Sequence, residues 1–311
     1  MVYEMKGRIL STLQGKKGVV SGEKLSSKLG ISRVSIWKHI KKLQEFGYNI
    51  ITTSNGYQLA GSPDVLFPWE FPERESKIRY FSKVTSTMDI ARELARKGSP
   101  DFTVVIAECQ TKGRGRLKRV WHSSKGGLYF TIILRPQISP VLSPLINFAA
   151  SLTLVRVLRK LYGVDAMVKW PNDILADGKK VSGMLSEMEA EGDIVTFINV
   201  GMGINVNNDP EKKEPGATSL KKLTGKQITR KKLLAEILNE FEDIVNVNGL
   251  GNVISMWKKC TTTIGQQVKI VTIREISEGL ATDVDANGAL ILKLADGSIK
   301  KIIYGDCFHK I

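Results

Sequence analysis

Two glycines, four cations and a tryptophan crowd into residues 113–121, GRGRLKRVW. Gly113 and Gly115 free the backbone to fold closely around a ligand. Arg114 and Arg116 carry planar guanidinium forks suited to carboxylate or phosphate. Trp121 offers a face on which a purine can stack. Such a loop is expected to lack a fixed shape until a flat anionic ligand meets the cost of ordering it. It contains neither the GK[ST] of a phosphate-binding loop nor a GxGxxG opening a helix. On these residues alone, a solvated charged loop is an equal reading.

A second group lies in KWPNDIL, residues 169–175. Pro171 breaks a strand, and Asn172 and Asp173 are expected in the turn just beyond its end. There Asn172 can donate to a phosphate oxygen while Asp173 helps hold a metal or orients a neighbour. The plainer reading is an Asn-Asp turn chosen for its backbone preferences. In ADGKKVSGMLSE, Asp177 and Gly178 make a hairpin turn, Lys180 opens the next strand, and Gly183 leaves room above the sheet. NVGMGINVN sets Gly201 and Gly203 in a strand just before Asn205, so something can approach that backbone closely. TSTMDIARELARKG starts a helix at Ser86, with Asp89 three residues on completing a capping box. The same helix start presents free N–H groups that can hold a small polar ring.

These residues need a scaffold, and the patterning provides one over residues 75–262. FTVVIAE, GLYFTIIL, AMVKW, KVSGMLSEME and DIVTFINVGMGINV read as strands. PLINFAASLTLVRVLRKLYG and RKKLLAEILNEFEDIVNV have helical apolar spacing. Several strands follow one another directly, which predicts an α+β domain with a largely antiparallel sheet.

Residues 1–62 read differently. Ser21 caps a helix ending near Leu29, Gly30 turns the chain, and Ser32 caps a second helix running to Phe46. Ile36, Ile40 and Leu43 face inward. YNIITTSNGYQLA then forms a hairpin around Asn55-Gly56. A helix-turn-helix followed by a hairpin is a winged helix, whose second helix enters a DNA major groove. Its candidate contacts are Ser32, Arg33, Ser35, Lys38, His39, Lys41 and Lys42. Trp37 is either a further groove contact or the edge of the core. A basic module that binds protein is the alternative. Residues 63–74, with prolines at 63, 68 and 72, read as a linker. Residues 263–311 alternate apolar and polar between Asn287-Gly288 and Asp296-Gly297, predicting a five-stranded β-barrel with no evident chemistry.

Bulk composition agrees with several soluble domains. The chain has 311 residues, 42% of them hydrophobic and 25% charged. No apolar run approaches the ~18 residues that span a bilayer, and MVYEMKGRIL has no signal-peptide core. Three scattered cysteines and three histidines disfavour a Cys/His metal site and fit a reducing cytoplasm. The net charge is +15, of which residues 1–62 carry +7 and residues 264–311 none. Charge density therefore peaks in the winged helix, where a polyanion would bind.

In order and spacing, GRGRLKRVW, KWPND, KKVSG and GMGIN resemble the central domain of biotin–protein ligases. With the winged helix ahead of them, the chain resembles the bifunctional form, ligase and biotin operon repressor in one. The resemblance implies a class II synthetase-like central domain with a mixed, largely antiparallel sheet and an SH3-like C-terminal barrel. It implies that Ser86, Thr87, Met88, Gln110, Gly113, Arg114, Gly115, Arg116, Lys180 and Gly183 surround biotin. Many members place Asn where this chain has Met88. Arg116, Arg119, Trp121, Lys169, Asn172, Asp173, Lys180 and Asn205 are implied to hold ATP and the adenylate. Lys180, bridging the biotin carboxylate and the α-phosphate, would be catalytic together with Arg114 and Arg116.

The implied reaction makes biotinyl-5'-AMP and pyrophosphate from biotin and ATP, then transfers biotin to a lysine of a biotin carboxyl carrier protein. No protein metal site is implied, but Mg²⁺ should accompany the ATP phosphates. The substrate's own carboxylate is the nucleophile, so no Ser/His/Asp triad is needed. Biotinyl-5'-AMP would also act as corepressor, favouring a homodimer that presents two winged helices to operator DNA. Two rivals remain: a lipoate–protein ligase, and a repressor whose middle domain senses a metabolite without reacting.

Overall fold

The computed structural model describes residues 2–15, 18–247 and 249–309, and the chain separates into two units, residues 1–78 and 79–311. The first holds α1 (Val2–Gln14), α2 (Gly22–Leu29), α3 (Arg33–Glu45) and the hairpin of β1 (Asn49–Thr53) and β2 (Gly56–Gly61). Both predicted caps form. Ser21 Oγ accepts from the Lys24 N–H and Ser32 Oγ from the Ser35 N–H, each at 3.1 Å. Gly30 closes α2 in the left-handed region, at φ 68°. Ile36, Ile40 and Leu43 reach the core, where they meet Ile9 and Leu13 of α1. The patterning does not predict α1, because it carries no capping signal and has a glycine inside it. That glycine has a packing reason: a Cβ on Gly7 would come within 2.9 Å of Trp69.

Trp69 also changes the reading of the proline-rich stretch. Residues 63–74 are not an open tether, for Leu66, Trp69 and Phe71 are buried. Trp69 stacks on Phe67 at 4.5 Å and donates from Nε1 to Tyr48 Oη at 2.7 Å. Prolines 68 and 72 each begin a short 3-10 turn, which sets the aromatic residues in place. The apolar area of these aromatics outweighs the breaker signal of the prolines.

The second unit is built on a seven-stranded sheet. Its elements are β3 (Ile78–Phe81), α4 (Thr87–Arg96), β4 (Thr103–Ala107), β5 (Leu128–Leu134), α5 (Ser143–Tyr162), β6 (Met167–Lys169), β7 (Asp173–Ala176), β8 (Lys179–Glu191) and β9 (Ile194–Ile204), followed by α6 (Leu220–Thr224), α7 (Arg230–Glu242) and α8 (Val253–Lys258). The strand order is β3-β4-β5-β9-β8-β7-β6, and the pairs from β4 to β6 are antiparallel. By length and composition, residues 140–162 are apolar enough to cross a bilayer, although charges interrupt the run. Two-thirds of that window is buried inside the protein, where Leu145, Phe148, Leu152, Val155 and Leu158 make it a core helix.

The C-terminal residues of this unit form β10 (Gln267–Val271), β11 (Ile276–Val284), β12 (Leu290–Lys293), β13 (Ile299–Ile302) and β14 (Asp306–His309). The five predicted strands are present, ordered β13-β12-β11-β10-β14. Among the described residues the end strands β13 and β14 do not pair, so hydrogen bonding does not close the barrel. Trp170 fastens this module to the KWPND turn: its N–H donates to Thr263 Oγ1 at 2.9 Å and its Nε1 to Gly288 O at 3.1 Å. The Trp170-Pro171 peptide is cis.

Candidate active site

The start of α4 forms one wall. Ser86 is its N-cap and its Oγ accepts from the Met88 N–H at 3.3 Å. The Thr87 N–H and Oγ1 both donate to Gln110 Oε1, at 2.8 and 3.1 Å, and Thr131 Oγ1 donates to Thr87 Oγ1 at 2.9 Å. Gln110 Nε2 then donates to Ser123 Oγ at 2.8 Å. The carboxamide is thus held from both ends, with a defined orientation. The predicted capping box does not form, because the Asp89 carboxylate turns instead to Arg114 Nη2 at 2.8 Å. Met88 is buried over β9, and a Cβ on Gly201 would lie 2.6 Å from its Sδ. The absent Cβ makes room for the thioether.

The arginine-glycine loop is folded, contrary to the shapeless loop its composition predicts. The Gly115 N–H donates to Arg119 O at 2.8 Å and the Trp121 N–H to Gly113 O at 2.9 Å, closing it as a hairpin. Its three arginines have partners as well. Arg114 pairs with Asp89 and, at 3.3 Å, with Glu187, which also binds Arg92. Arg116 donates to Asn172 Oδ1 at 3.2 Å and to Gly305 O at 3.0 Å. Arg119 pairs with Asp306 at 2.6 Å. These partners come from distant segments, so composition within the loop cannot reveal them. Burial pushes the Arg116 pKa down from its usual range, while Asp306 and Asp173 oppose that shift.

The floor belongs to β8 and β9. The Trp121 ring lies against Gly203, where a Cβ would overlap the indole, and a Cβ on Gly183 would approach it to 3.0 Å. These are the close approaches that the strand glycines predict, made by the protein's own tryptophan. Lys180 Nζ is 5.4 Å from the Trp121 ring centroid and 2.8 Å from Asp173 Oδ1. Asp173 is the first residue of β7, paired opposite Lys169 and Gly183, rather than part of the turn. Asn172 stays in the turn, with its Nδ2 donating to Met184 O. Asn205 is buried and accepts from Asn208 Nδ2 at 3.0 Å.

Together these walls enclose a cavity of about 360 Å³, within the range of small-molecule sites. All the residues assigned to biotin or the adenylate line it except Gly113. Gly113 is buried behind it, where a Cβ would overlap Trp121 O. The C-terminal module, read as devoid of chemistry, contributes Asp306 to the lining and Gly305 to Arg116. Phe308 lies 5.8 Å from both the Arg119 and Lys169 cations. No spacing signal marks these residues, since alternation on a strand explains them equally well. Burial raises the Cys307 thiol to about 12, which leaves it a packed, protonated side chain.

On α3, Ser32, Arg33, Trp37, Lys38, Lys41 and Lys42 are exposed, and Ser35 and His39 are half-buried. Burial and the nearby Lys6 pull the His39 pKa below its usual value. Val34, absent from the predicted contacts, is exposed beside Arg33.

Three family models match the chain: Biotin/lipoate A/B protein ligase family over residues 80–205, HTH domain over 7–58, and Biotin protein ligase C terminal domain over 263–310. The bifunctional ligase/repressor BirA of Bacillus subtilis is 36% identical over 302 residues, covering 92% of this chain and 93% of its own. Its Escherichia coli counterpart is 29% identical over 297 residues, with 92% and 91% covered. The structure of the biotin protein ligase from Aquifex aeolicus in complex with biotin and ATP superposes with a TM-score of 0.63 at 28% identity, covering 75% of this chain and 98% of that one.

Proposed function

Because this chain belongs to the family of bifunctional biotin ligase/repressors, we propose that it makes biotinyl-5'-AMP from biotin and ATP and passes the biotinyl group to a lysine of a biotin carboxyl carrier protein. It also represses transcription through its winged helix when it holds that adenylate. The observation that carries the reading is the meeting of Lys180, from β8, with Arg116 and Arg119, from the arginine-glycine loop, on one cavity that also holds Gln110 and Trp121.

Biotin would lie with its ring toward Ser86, Thr87, Met88 and the fixed Gln110 carboxamide. Its carboxylate would then reach Lys180. One carboxylate oxygen attacks the α-phosphorus, and the bond from that phosphorus to the pyrophosphate oxygen breaks. The Lys180 ammonium, aimed by Asp173, offsets charge on both reacting oxygens. Arg116 and Arg119 face the phosphates, and Trp121 offers its ring to the adenine. Arg114, held by Asp89 and Glu187, would fix the root of the loop beside the biotin end. In the second step a neutral lysine amine of the carrier attacks the acyl carbon, AMP leaves, and the amine gives up a proton. The hairpin loop keeps water from the adenylate meanwhile.

Of the carboxylates that line the cavity, Asp173 and Asp306 are ion-paired and Glu214 is the third. Mg²⁺ would arrive with the triphosphate, carrying its own waters. The ion would add positive charge at the phosphates when bound.

The repressor would act as a homodimer joined through the central sheet, in the cytoplasm where carrier and operator are both found. Exposed Met188, Ile194, Val141 and Leu142 support such a contact. The Val195 N–H donates to Ile138 O at 3.1 Å, tying the turn before α5 to the start of β9. Adenylate state and DNA affinity would thus be linked.

Pyrophosphate release measured with ATP, Mg²⁺ and either biotin or lipoate tests the reading. Release with biotin alone is expected. Release with lipoate alone would make this a lipoate ligase, and release with neither would leave a metabolite-sensing repressor.

A further inference from the structure

The exposed face of α3 is not uniformly basic. Val34 is 64% exposed and Trp37 49% exposed, three residues apart on one face of the helix. The inward stripe of Ile36, Ile40 and Leu43 already completes the core of this unit, so neither side chain is needed for packing. Both line a groove that also takes in Ser21 at the start of α2 and Thr52, Ser54 and Asn55 at the hairpin tip. Arg33, Lys38 and Lys41 border the two apolar side chains and are exposed. A protein partner would gain little from the cations, whereas a DNA duplex satisfies both chemistries. Phosphates take the lysines, and the major groove carries one apolar group at base level, the thymine C5-methyl.

The side chains this face lacks narrow the choice further. Adenine is read by a bidentate carboxamide and cytosine by a carboxylate. Residues 33–41 of α3 include neither Asn, Gln, Asp nor Glu, so the carboxylate and carboxamide of this groove, Glu23 and Asn55, come from α2 and the hairpin rather than from the helix. Gln44, farther along, donates its Nε2 to Ile50 O at 2.7 Å and is engaged in holding the hairpin. What α3 itself offers to base edges is the hydroxyls of Ser32 and Ser35, which do not discriminate, a cation, suited to guanine or phosphate, and the pair of apolar side chains. Residues in the N-terminal half of a recognition helix are those that meet base edges.

We propose that Val34 and Trp37 are specificity-determining residues that read thymine through its C5-methyl group in each operator half-site. This rests on the reading of α3 as a DNA-recognition helix and assigns the base it selects. Val34 and the indole of Trp37 would close over one or two methyls and shed water from both surfaces. Arg33, Lys38 and Lys41 would set the register on the backbone without choosing sequence.

The test uses the full chain with biotin, ATP and Mg²⁺ and a random-core duplex library, from which bound duplexes are selected and sequenced. Each thymine of the recovered site is then replaced singly by deoxyuridine, which removes the methyl and keeps base pairing. Loss of one buried methyl is worth about 0.8 kcal/mol, so binding should weaken roughly fourfold at one or two thymines of a half-site. Val34→Ala or Trp37→Ala should abolish that sensitivity, and Val34→Thr, which keeps a methyl, should retain part of it. Matching thermal melts would show that the variants fold. If deoxyuridine is silent at every thymine while selected duplexes still bind, the thymine assignment falls and the DNA reading stands. The assignment also falls if both alanine variants keep the full deoxyuridine effect. If no duplex is enriched, the DNA reading falls and takes the assignment with it.

Discussion

The catalytic cavity and the recognition helix are both rich in cations, yet they hold them in opposite ways. In the cavity four cations are engaged with oxygens: Lys180 with Asp173, Arg119 with Asp306, Arg114 with Asp89 and Glu187, and Arg116 with two oxygens; Lys169 has the Phe308 ring at 5.8 Å. On α3, Lys42 pairs with Glu45 at 2.7 Å, but Arg33, Lys38 and Lys41 stand in solvent with no carboxylate partner among the described residues. The contrast follows from the two tasks. A reaction needs charge fixed in place before the transition state forms, since reorganising it then would add to the barrier. A duplex is attracted from a distance and tolerates mobile side chains, because its charge is spread along the helix.

Removing one charge therefore affects the two regions very differently. Lys180→Ala deletes a fixed donor and leaves Asp173 without its ammonium. Pyrophosphate release should fall by about 10²–10³-fold, while binding to non-specific duplex is unchanged. Undiminished release would exclude Lys180 from the chemistry. A parallel loss of duplex binding without biotin and ATP, where neither protein holds adenylate, would mean that the two regions are not separable as argued.

The comparison extends to the floor beneath the charges. Gly203→Ala forces the added methyl into the indole of Trp121, a rigid ring, whereas Gly201→Ala meets only the flexible end of Met88. Overpacking typically costs about 1–3 kcal/mol, so Gly203→Ala should raise the KM for ATP by roughly tenfold. Gly201→Ala should have the smaller effect, felt in the KM for biotin, since a thioether end can swing aside. Steady-state pyrophosphate release at varied ATP and biotin measures both. The reverse order would show that Trp121 does not shape the nucleotide end.

Legibility in the sequence divides along similar lines. The caps of α2 and α3, the hairpin at Asn55-Gly56, and Lys180 after the Asp177-Gly178 turn were readable because each is a local rule with local consequences. Gly201 and Gly203 correctly signalled a close approach, though not by which side chain. Asp306, Gly305 and Phe308 were not readable, since they reach the cavity only through the docking of β14, far along the chain from the loop. The folded loop was missed for the same reason. Its shape depends on Asp89, Asn172, Glu187 and Asp306, none of which lies within it. Trp69 shows the converse failure, where prolines suggested a tether and burial of aromatics decided otherwise.

The smallest expected effect tests the comparison most directly. Each α3 cation that meets a phosphate releases counterions, so the slope of log K for DNA against log salt should become shallower by about one unit when Lys41 is replaced by Ala. Lys38→Ala should act alike, and neither should alter which duplex is preferred. The KM for ATP should vary far less over the same salt range. Exposed charges are screened beyond about 8 Å at physiological ionic strength, but Lys180 and Arg119 lie well within that distance of their carboxylates. Binding isotherms and initial rates at matched salt concentrations would compare the two slopes. If ATP binding proved as salt-sensitive as DNA binding, the cavity's cations would have to be unpaired and exposed when ATP arrives. The fixed-charge account of the active site would then fail, even with Lys180 still essential.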